Sequence, residues 1–156
     1  MNKILKLVAS IIIPFVAAGI GNLSTIPNIP TWYATLEKPF FSPPNWVFGP
    51  VWTLLYLLMS LSLYLLWTQP SKKDKTKAFI VFGTQLVLNT LWSIVFFGLH
   101  SPIGGMIVIL GLLAAIIITM RYFWRFSKTA TYLLVPYLLW VSFATILNTA
   151  VAFLNQ

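Results

Sequence analysis

Residues 103–123 read IGGMIVILGLLAAIIITMRYF, an apolar run whose one charge, Arg121, stands near its end. A bilayer core about 30 Å thick is crossed by roughly 20 helical residues, so this run is long enough to span. Four further runs meet the same requirement, at residues 4–23, 46–67, 78–99 and 131–154. Period-two alternation, the mark of a membrane barrel, is absent from them. Unpaired backbone groups in hydrocarbon cost several kcal/mol each, so helices are the expected form. Scattered Ser and Thr are able to bond back to carbonyls of their own helix. The sequence therefore predicts an all-α membrane protein. It reads as one domain over residues 1–156, a bundle of five transmembrane helices with mostly short, antiparallel connections.

Composition points the same way. The chain is 59% hydrophobic, with a mean hydropathy of +0.89 and 8% charged residues. A soluble domain carries about 25% charged residues, so lipid is the solvent that tolerates this surface. The absence of cysteine excludes a disulfide scaffold and thiolate metal sites. The formal net charge is +8. Its placement reads as contact with lipid headgroups, not nucleic acid. Lys3, Lys6, Lys72, Lys73, Lys75, Lys77, Arg121, Arg125 and Lys128 all fall on one side of the predicted bundle, and Lys38 stands alone on the other. The N-terminus is expected inside and the C-terminus outside, in a bacterial cytoplasmic membrane. The basic start, apolar run and small Ala17 and Ala18 also give the first segment some likeness to a secretory leader.

One connection is unusual. Residues 24–45 hold Pro27, Pro30, Pro39, Pro43 and Pro44, half of the chain's 10 prolines, with Trp32, Tyr33, Phe40 and Phe41. Flexible linkers are rich in Gly and Ser, not aromatics. Proline fixes φ and lowers the entropy lost on ordering. The segment is expected to form an ordered proline- and aromatic-rich lid over the bundle. A plain interfacial aromatic belt is the competing reading.

The inner parts of the spans hold no acidic or basic side chain. Ion-coupled pumps and proton relays place ionisable groups there, so an energised transporter is not expected, and no P-loop offers ATP coupling. The lone His100, at the end of the third run, makes a poor metal site and reads as an interfacial polar residue. No metal is expected.

Polar and aromatic residues recur at helical spacing instead. Gln85, Asn89 and Ser93 share one face of the third helix, bordered by Trp92 and Phe96. The second helix aligns Trp52, Tyr56 and Met59; the fifth aligns Tyr137, Trp140, Ala144 and Asn148. Amides facing lipid are costly, so these faces should turn inward. Such an interior suits a flat aromatic ligand held by stacking and oriented by amides. Interhelical hydrogen bonding and ordinary aromatic packing are the alternatives. Small residues at Ala17, Ala18, Gly21 and Asn22, and at Gly111 and Ala115, allow close helix approach, within the bundle or between protomers.

Several stretches resemble the TspO/MBR family, the tryptophan-rich sensory proteins whose mitochondrial members are called translocator protein or peripheral benzodiazepine receptor. The first is Trp32-Tyr33-Ala34-Thr35-Leu36-Glu37-Lys38-Pro39, followed by Pro43-Pro44 and Phe48-Gly49-Pro50-Val51-Trp52. Asn89-Thr90-Leu91-Trp92-Ser93 with Phe96-Phe97 is the second. Pro136-Tyr137-Leu138-Leu139-Trp140, with Phe143-Ala144-Thr145 and Leu147-Asn148, is the third.

The resemblance implies a five-helix bundle, often a homodimer, with a pocket closed by the first loop. It implies binding of porphyrins such as protoporphyrin IX and haem, and of isoquinoline carboxamides and benzodiazepines, with no cofactor required. Carried over by position, Trp52, Asn89, Trp92, Trp140, Ala144 and Leu147 would line the pocket, and Trp32, Pro43 and Pro44 would hold the lid. Tyr56, Gln85, Phe96, Tyr137 and Asn148 join them from the helical spacing above. Some bacterial relatives degrade protoporphyrin IX in light, and Trp52 and Trp140 match the tryptophans implicated there. The expected function is thus a porphyrin-binding membrane receptor or sensor, with a porphyrin-degrading enzyme or a passive tetrapyrrole or lipid transporter as alternatives. One departure stands out: the stretch after Asn148 lacks the Tyr and basic residue of the mitochondrial cholesterol motif.

Overall fold

Backbone groups find no water inside a bilayer, and the chain answers with helices throughout. The structure, a computed structural model, describes residues 2–156. Helix α1 (Lys3–Asn28) continues through a π-helical turn (Ile29–Tyr33). Helix α2 spans Asn45–Thr68, and α3 spans Thr76–Ser93 before a second π-helical turn, Ile94–Gly98. Helix α4 (Pro102–Trp124) is followed by the short α5 (Lys128–Tyr132) and by α6 (Val135–Leu154). Together they make five spans long and apolar enough to cross a membrane: Lys3–Tyr33, Asn45–Thr68, Thr76–Gly98, Pro102–Trp124 and Lys128–Leu154.

The helix starts follow local chemistry. The side chain of Asn2 accepts from the Leu5 N–H at 2.8 Å, Ser101 from Gly104 at 3.1 Å, and Ser127 from Ala130 at 3.1 Å. Each satisfies an N–H that the first helical turn leaves free. Within the spans, Thr53, Thr84 and Thr145 bond back to carbonyls four residues earlier, as a membrane interior requires.

The first span departs from the expected boundary. Its helix does not stop at residue 23 but runs through Pro27 and Pro30 to Tyr33. Prolines remove N–H donors and free the carbonyls behind them. Here side chains bond the carbonyls of the affected stretch: Thr25 to Gly21 at 3.1 Å, Asn28 to Ser24 at 2.8 Å, and Thr31 to Pro27 at 2.8 Å. The wider π turn accommodates the remaining mismatch. The lid is correspondingly shorter than the expected 24–45, and Trp32 belongs to the helical extension and not to the loop.

Hydrogen bonds and close packing join the helices. Thr90 donates to the Ala17 carbonyl at 3.1 Å, linking α3 to α1. Thr119 donates to Val81 at 3.1 Å, linking α4 to α3, and Ser62 to Ala130 at 2.7 Å, linking α2 to α5. Between these contacts, Met59, Leu66, Phe82, Leu112, Ile116 and Phe123 form a dry core, with Phe82 stacked on Phe123 at 5.7 Å. Large apolar residues such as Ile12, Leu23, Val87, Ile107 and Leu139 point outward, where lipid replaces protein as their partner.

The nine clustered cations gather at one end. The Lys75 ammonium donates to the Leu66 and Gln69 carbonyls and lies 5.9 Å from the Phe126 ring centroid. Burial, with the charge of nearby Lys6, pushes the Lys75 amine below its ordinary pKa. Asp74 is held below the usual carboxylate range by hydrogen bonds from the Thr76 hydroxyl and N–H.

Of the small residues, Gly21 lets α1 approach α3: a Cβ there would sit 3.2 Å from the Ser93 Oγ. Gly111 faces open space. Gly105 of α4 is tightly packed, since its Cβ would fall 2.8 Å from a Phe96 ring carbon and 2.9 Å from the Asn148 Oδ1. Gly105→Ala should therefore cost about 1–3 kcal/mol by overpacking and lower the thermal unfolding midpoint in detergent. Gly111→Ala should be neutral or slightly stabilising; equal midpoints for the two variants would contradict this packing.

Candidate ligand-binding site

Helical phase turns four faces toward a common space. A cavity of about 370 Å³ lies between α1, α2, α3 and α6. Small-molecule sites typically measure about 300–1,000 Å³. From α2 come Phe48, Trp52 and Tyr56; from α3 and its π turn, Asn89, Trp92, Ser93, Phe96 and Phe97; from α6, Trp140, Ala144, Leu147 and Asn148. Helix α1 supplies Phe15, Ala18, Asn22, Thr25, Ile29 and Tyr33.

The aromatic lining is ordered. Trp52 and Trp92 lie within 29° of parallel, with centroids 6.3 Å apart, and Trp92 lies within 24° of Phe96 at 5.6 Å. Three rings thus form an offset stack with Trp92 in the middle. Trp140 packs edge-on against Phe48 at 6.0 Å. The indole stacked on Trp52 is that of Trp92, and Trp140 lines the same cavity from α6. The Trp140 Nε1 is buried with no hydrogen-bond acceptor from the protein.

Beneath the wall runs a polar chain. The Tyr56 hydroxyl donates to the Asn89 Oδ1 at 2.6 Å. The Asn89 Nδ2 donates to the Tyr137 hydroxyl at 2.8 Å, which donates to the Gln85 Oε1 at 2.8 Å. A second pair flanks the cavity, where the Trp92 Nε1 donates to the Asn148 Oδ1 at 2.9 Å and the Asn148 Nδ2 to the Pro102 carbonyl at 2.8 Å. The amide stripe of α3 therefore combines both readings of it: Asn89 bonds across the bundle and also lines the cavity, with Tyr56 beside it.

The other sequence-selected residues fall nearby. Gln85 and Tyr137 sit one layer below the cavity, buried in that chain, and do not line it. Trp32 stands behind the lining, 5.4 Å edge-on to Phe96, and stacks on His100 at 4.7 Å and 14°. His100 also bonds the Asn28 Oδ1 at 2.7 Å and adopts a positive φ of 51°, so it pins the extension of α1 to the α3–α4 turn. Pro43 and Pro44 lie outside the lining and lead into α2. The lid is clamped at Glu37, whose N–H and carbonyl both pair with the Asn155 side-chain amide at 2.9 Å.

Sequence reading did not assign the α1 wall to the site. Phe15, Ala18, Asn22, Thr25, Ile29 and Tyr33 recur every three or four residues, a periodicity visible only once the helix is carried past Asn22. Gly19, Asn22 and Ile26 of α1 and Gly49 and Thr53 of α2 line the cavity and are also exposed on the outer surface. The cavity therefore reaches the lipid side between these helices. No acidic, basic or histidine side chain lines it.

Fold and cavity together define an integral membrane protein with an intramembrane aromatic site. Residues 10–154 match the TspO/MBR family, and the chain belongs to that family. It is 49% identical over 154 residues to the tryptophan-rich protein TspO of Archaeoglobus fulgidus, covering 98% of this chain and 99% of the relative. Its identity to the protein of that name from Chlorobaculum tepidum is 42% over 157 residues, covering 99% of each. To the human translocator protein it is 38% identical over 123 residues, covering 77% of this chain and 72% of the relative.

Tyr137→Phe removes one hydroxyl and strands two buried amide groups, the Asn89 Nδ2 and the Gln85 Oε1. Each stranded group costs about 1–3 kcal/mol. The variant should unfold in detergent at a clearly lower temperature than Tyr64→Phe, and an unchanged midpoint would show that the chain of bonds contributes nothing.

Proposed function

We propose that this protein is a membrane receptor or sensor that takes a planar, largely apolar ligand of the porphyrin class into the cavity, with its basic end at the cytoplasmic face. The observation that carries the reading is an open cavity lined by the stacked rings of Trp52, Trp92 and Phe96 and by Trp140. A flat guest gains stacked or edge-on contacts with such a lining, worth about 0.5–1.5 kcal/mol per aromatic pair beyond the buried area. Asn89 and Tyr56 in the lining offer the few polar contacts that fix orientation. The name of the human relative, translocator protein, fits a hydrophobic cargo or signal.

Neither His, Cys nor Met lines the cavity, and the Tyr56 hydroxyl is committed to Asn89. Apart from the Tyr33 phenol, the lining thus offers no usual axial ligand for iron, which favours metal-free protoporphyrin IX over haem. A second reading, light-driven breakdown of the bound porphyrin, draws on the oxidisable indoles of Trp52, Trp92 and Trp140 in the same wall.

Titration of detergent-solubilised protein with protoporphyrin IX, followed through the porphyrin's own absorbance, should give saturable binding. Trp52→Ala with Trp92→Ala should weaken it by about tenfold or more, while Trp46→Ala, on the outer surface, should not. Unsaturable partitioning, or equal affinity in all three proteins, would remove the receptor reading. Under illumination, the breakdown reading expects a product spectrum that disappears in Trp140→Phe; bleaching identical to that of free porphyrin would contradict it.

A further inference from the structure

The lid end of the bundle carries one basic residue, Lys38, among ten in the chain. Its ammonium donates to the Leu36 carbonyl at 3.1 Å and sits 4.7 Å from the centroid of the Tyr33 ring. Tyr33 is 4% exposed and lines the cavity. The charge of Lys38 is therefore held one ring away from the ligand space.

Its surroundings leave that charge without a strong partner. The chain has two acidic residues, Glu37 and Asp74. Asp74 lies at the opposite end, bonded to Thr76. Glu37 is the neighbour of Lys38 and its side chain is exposed. Both backbone polar groups of Glu37 are clamped by Asn155, which fixes the start of the peptide that presents Lys38. Tyr33 itself is wedged against Phe96 and Phe97 at 6.2 and 5.7 Å, so the platform under the ammonium is rigid.

A cavity without cations meets a difficulty if its guest is an acid. Protoporphyrin IX carries two propionate groups on one edge. Carboxylates buried among indoles lose hydration with no return unless a cation or several donors meet them. We infer that Lys38 is the carboxylate anchor of this site: the ring lies in the aromatic cavity with its acid edge toward the lid, and the Lys38 ammonium swings from the Tyr33 face to pair with it. The inference rests on the porphyrin reading above and narrows it to planar acids. It also makes Lys38 a specificity residue, since a neutral ring of the same shape gains nothing from it. A lysine stem of four carbons on an aromatic face is suited to such a movement.

The test compares protoporphyrin IX with its dimethyl ester, in one detergent, on wild type, Lys38→Met, Lys38→Arg and, as a cation at the far end, Lys72→Met. Wild type should prefer the diacid. Lys38→Met should weaken diacid binding by about three- to tenfold and leave the ester unchanged, so that the acid-to-ester affinity ratio falls. Lys38→Arg should restore that ratio, and Lys72→Met should not alter it. Added salt should weaken the diacid alone. A ratio that is the same in wild type and Lys38→Met overturns the anchor and leaves Lys38 as an interfacial charge only, with the cavity reading intact. Equal loss of both compounds in Lys38→Met also overturns it, because a distorted lid does not distinguish acid from ester. Wild type binding neither compound removes the cavity reading, and the anchor with it.

Discussion

Asn89 is the residue on which the rest of the structure depends. It is 2% exposed, in the middle of a span, where a bare amide costs several kcal/mol. Its cost is offset only if α2 brings Tyr56 to its oxygen and α6 brings Tyr137 to its nitrogen. Those two bonds fix the rotation of both helices relative to α3. With that rotation set, Trp52 falls one turn above Tyr56, Trp92 rises beside Asn89, and Ala144 and Asn148 face the same space. The cavity is thus a consequence of satisfying one amide without water, and the aromatic wall follows from the helical repeat around it.

Much of this was legible in the residues. The ends of helices two, three and four are legible to within a few residues, because runs of apolar side chains as long as a bilayer is thick have few other uses. The inward turn of Gln85, Asn89 and Ser93 follows from the cost of polar side chains in lipid. Sequence alone does not tell which member of a polar stripe lines a void and which is sealed beneath it. Gln85 and Asn89 differ by one helical turn, and only the depth of the Tyr137 ring between them decides that Asn89 meets the cavity and Gln85 does not.

The first span shows the opposite case. Prolines at 27 and 30 argue locally for a helix end, yet the helix persists to Tyr33. Local propensity is overridden because Trp32 and Tyr33 dock on Phe96, Phe97 and His100, and because Thr25, Asn28 and Thr31 supply hydrogen bonds in the weakened stretch. The extension matters for function, since it carries Ile29 and Tyr33 into the cavity wall and leaves a short lid clamped to the end of α6. The small residues of α1 likewise serve the bundle: Gly21 admits Ser93, while Ala18, Gly19 and Asn22 keep one side of the cavity shallow toward lipid.

The central claim is that the cavity lined by the indoles of α2, α3 and α6 holds a planar guest inside the bundle. An experimental structure of the protein with protoporphyrin IX tests it most directly. The account predicts a ring between α1, α2, α3 and α6, in contact with Trp52, Trp92 and Trp140. A porphyrin seated on the outer, lipid-facing surface, with the cavity closed by collapsed side chains, would contradict it.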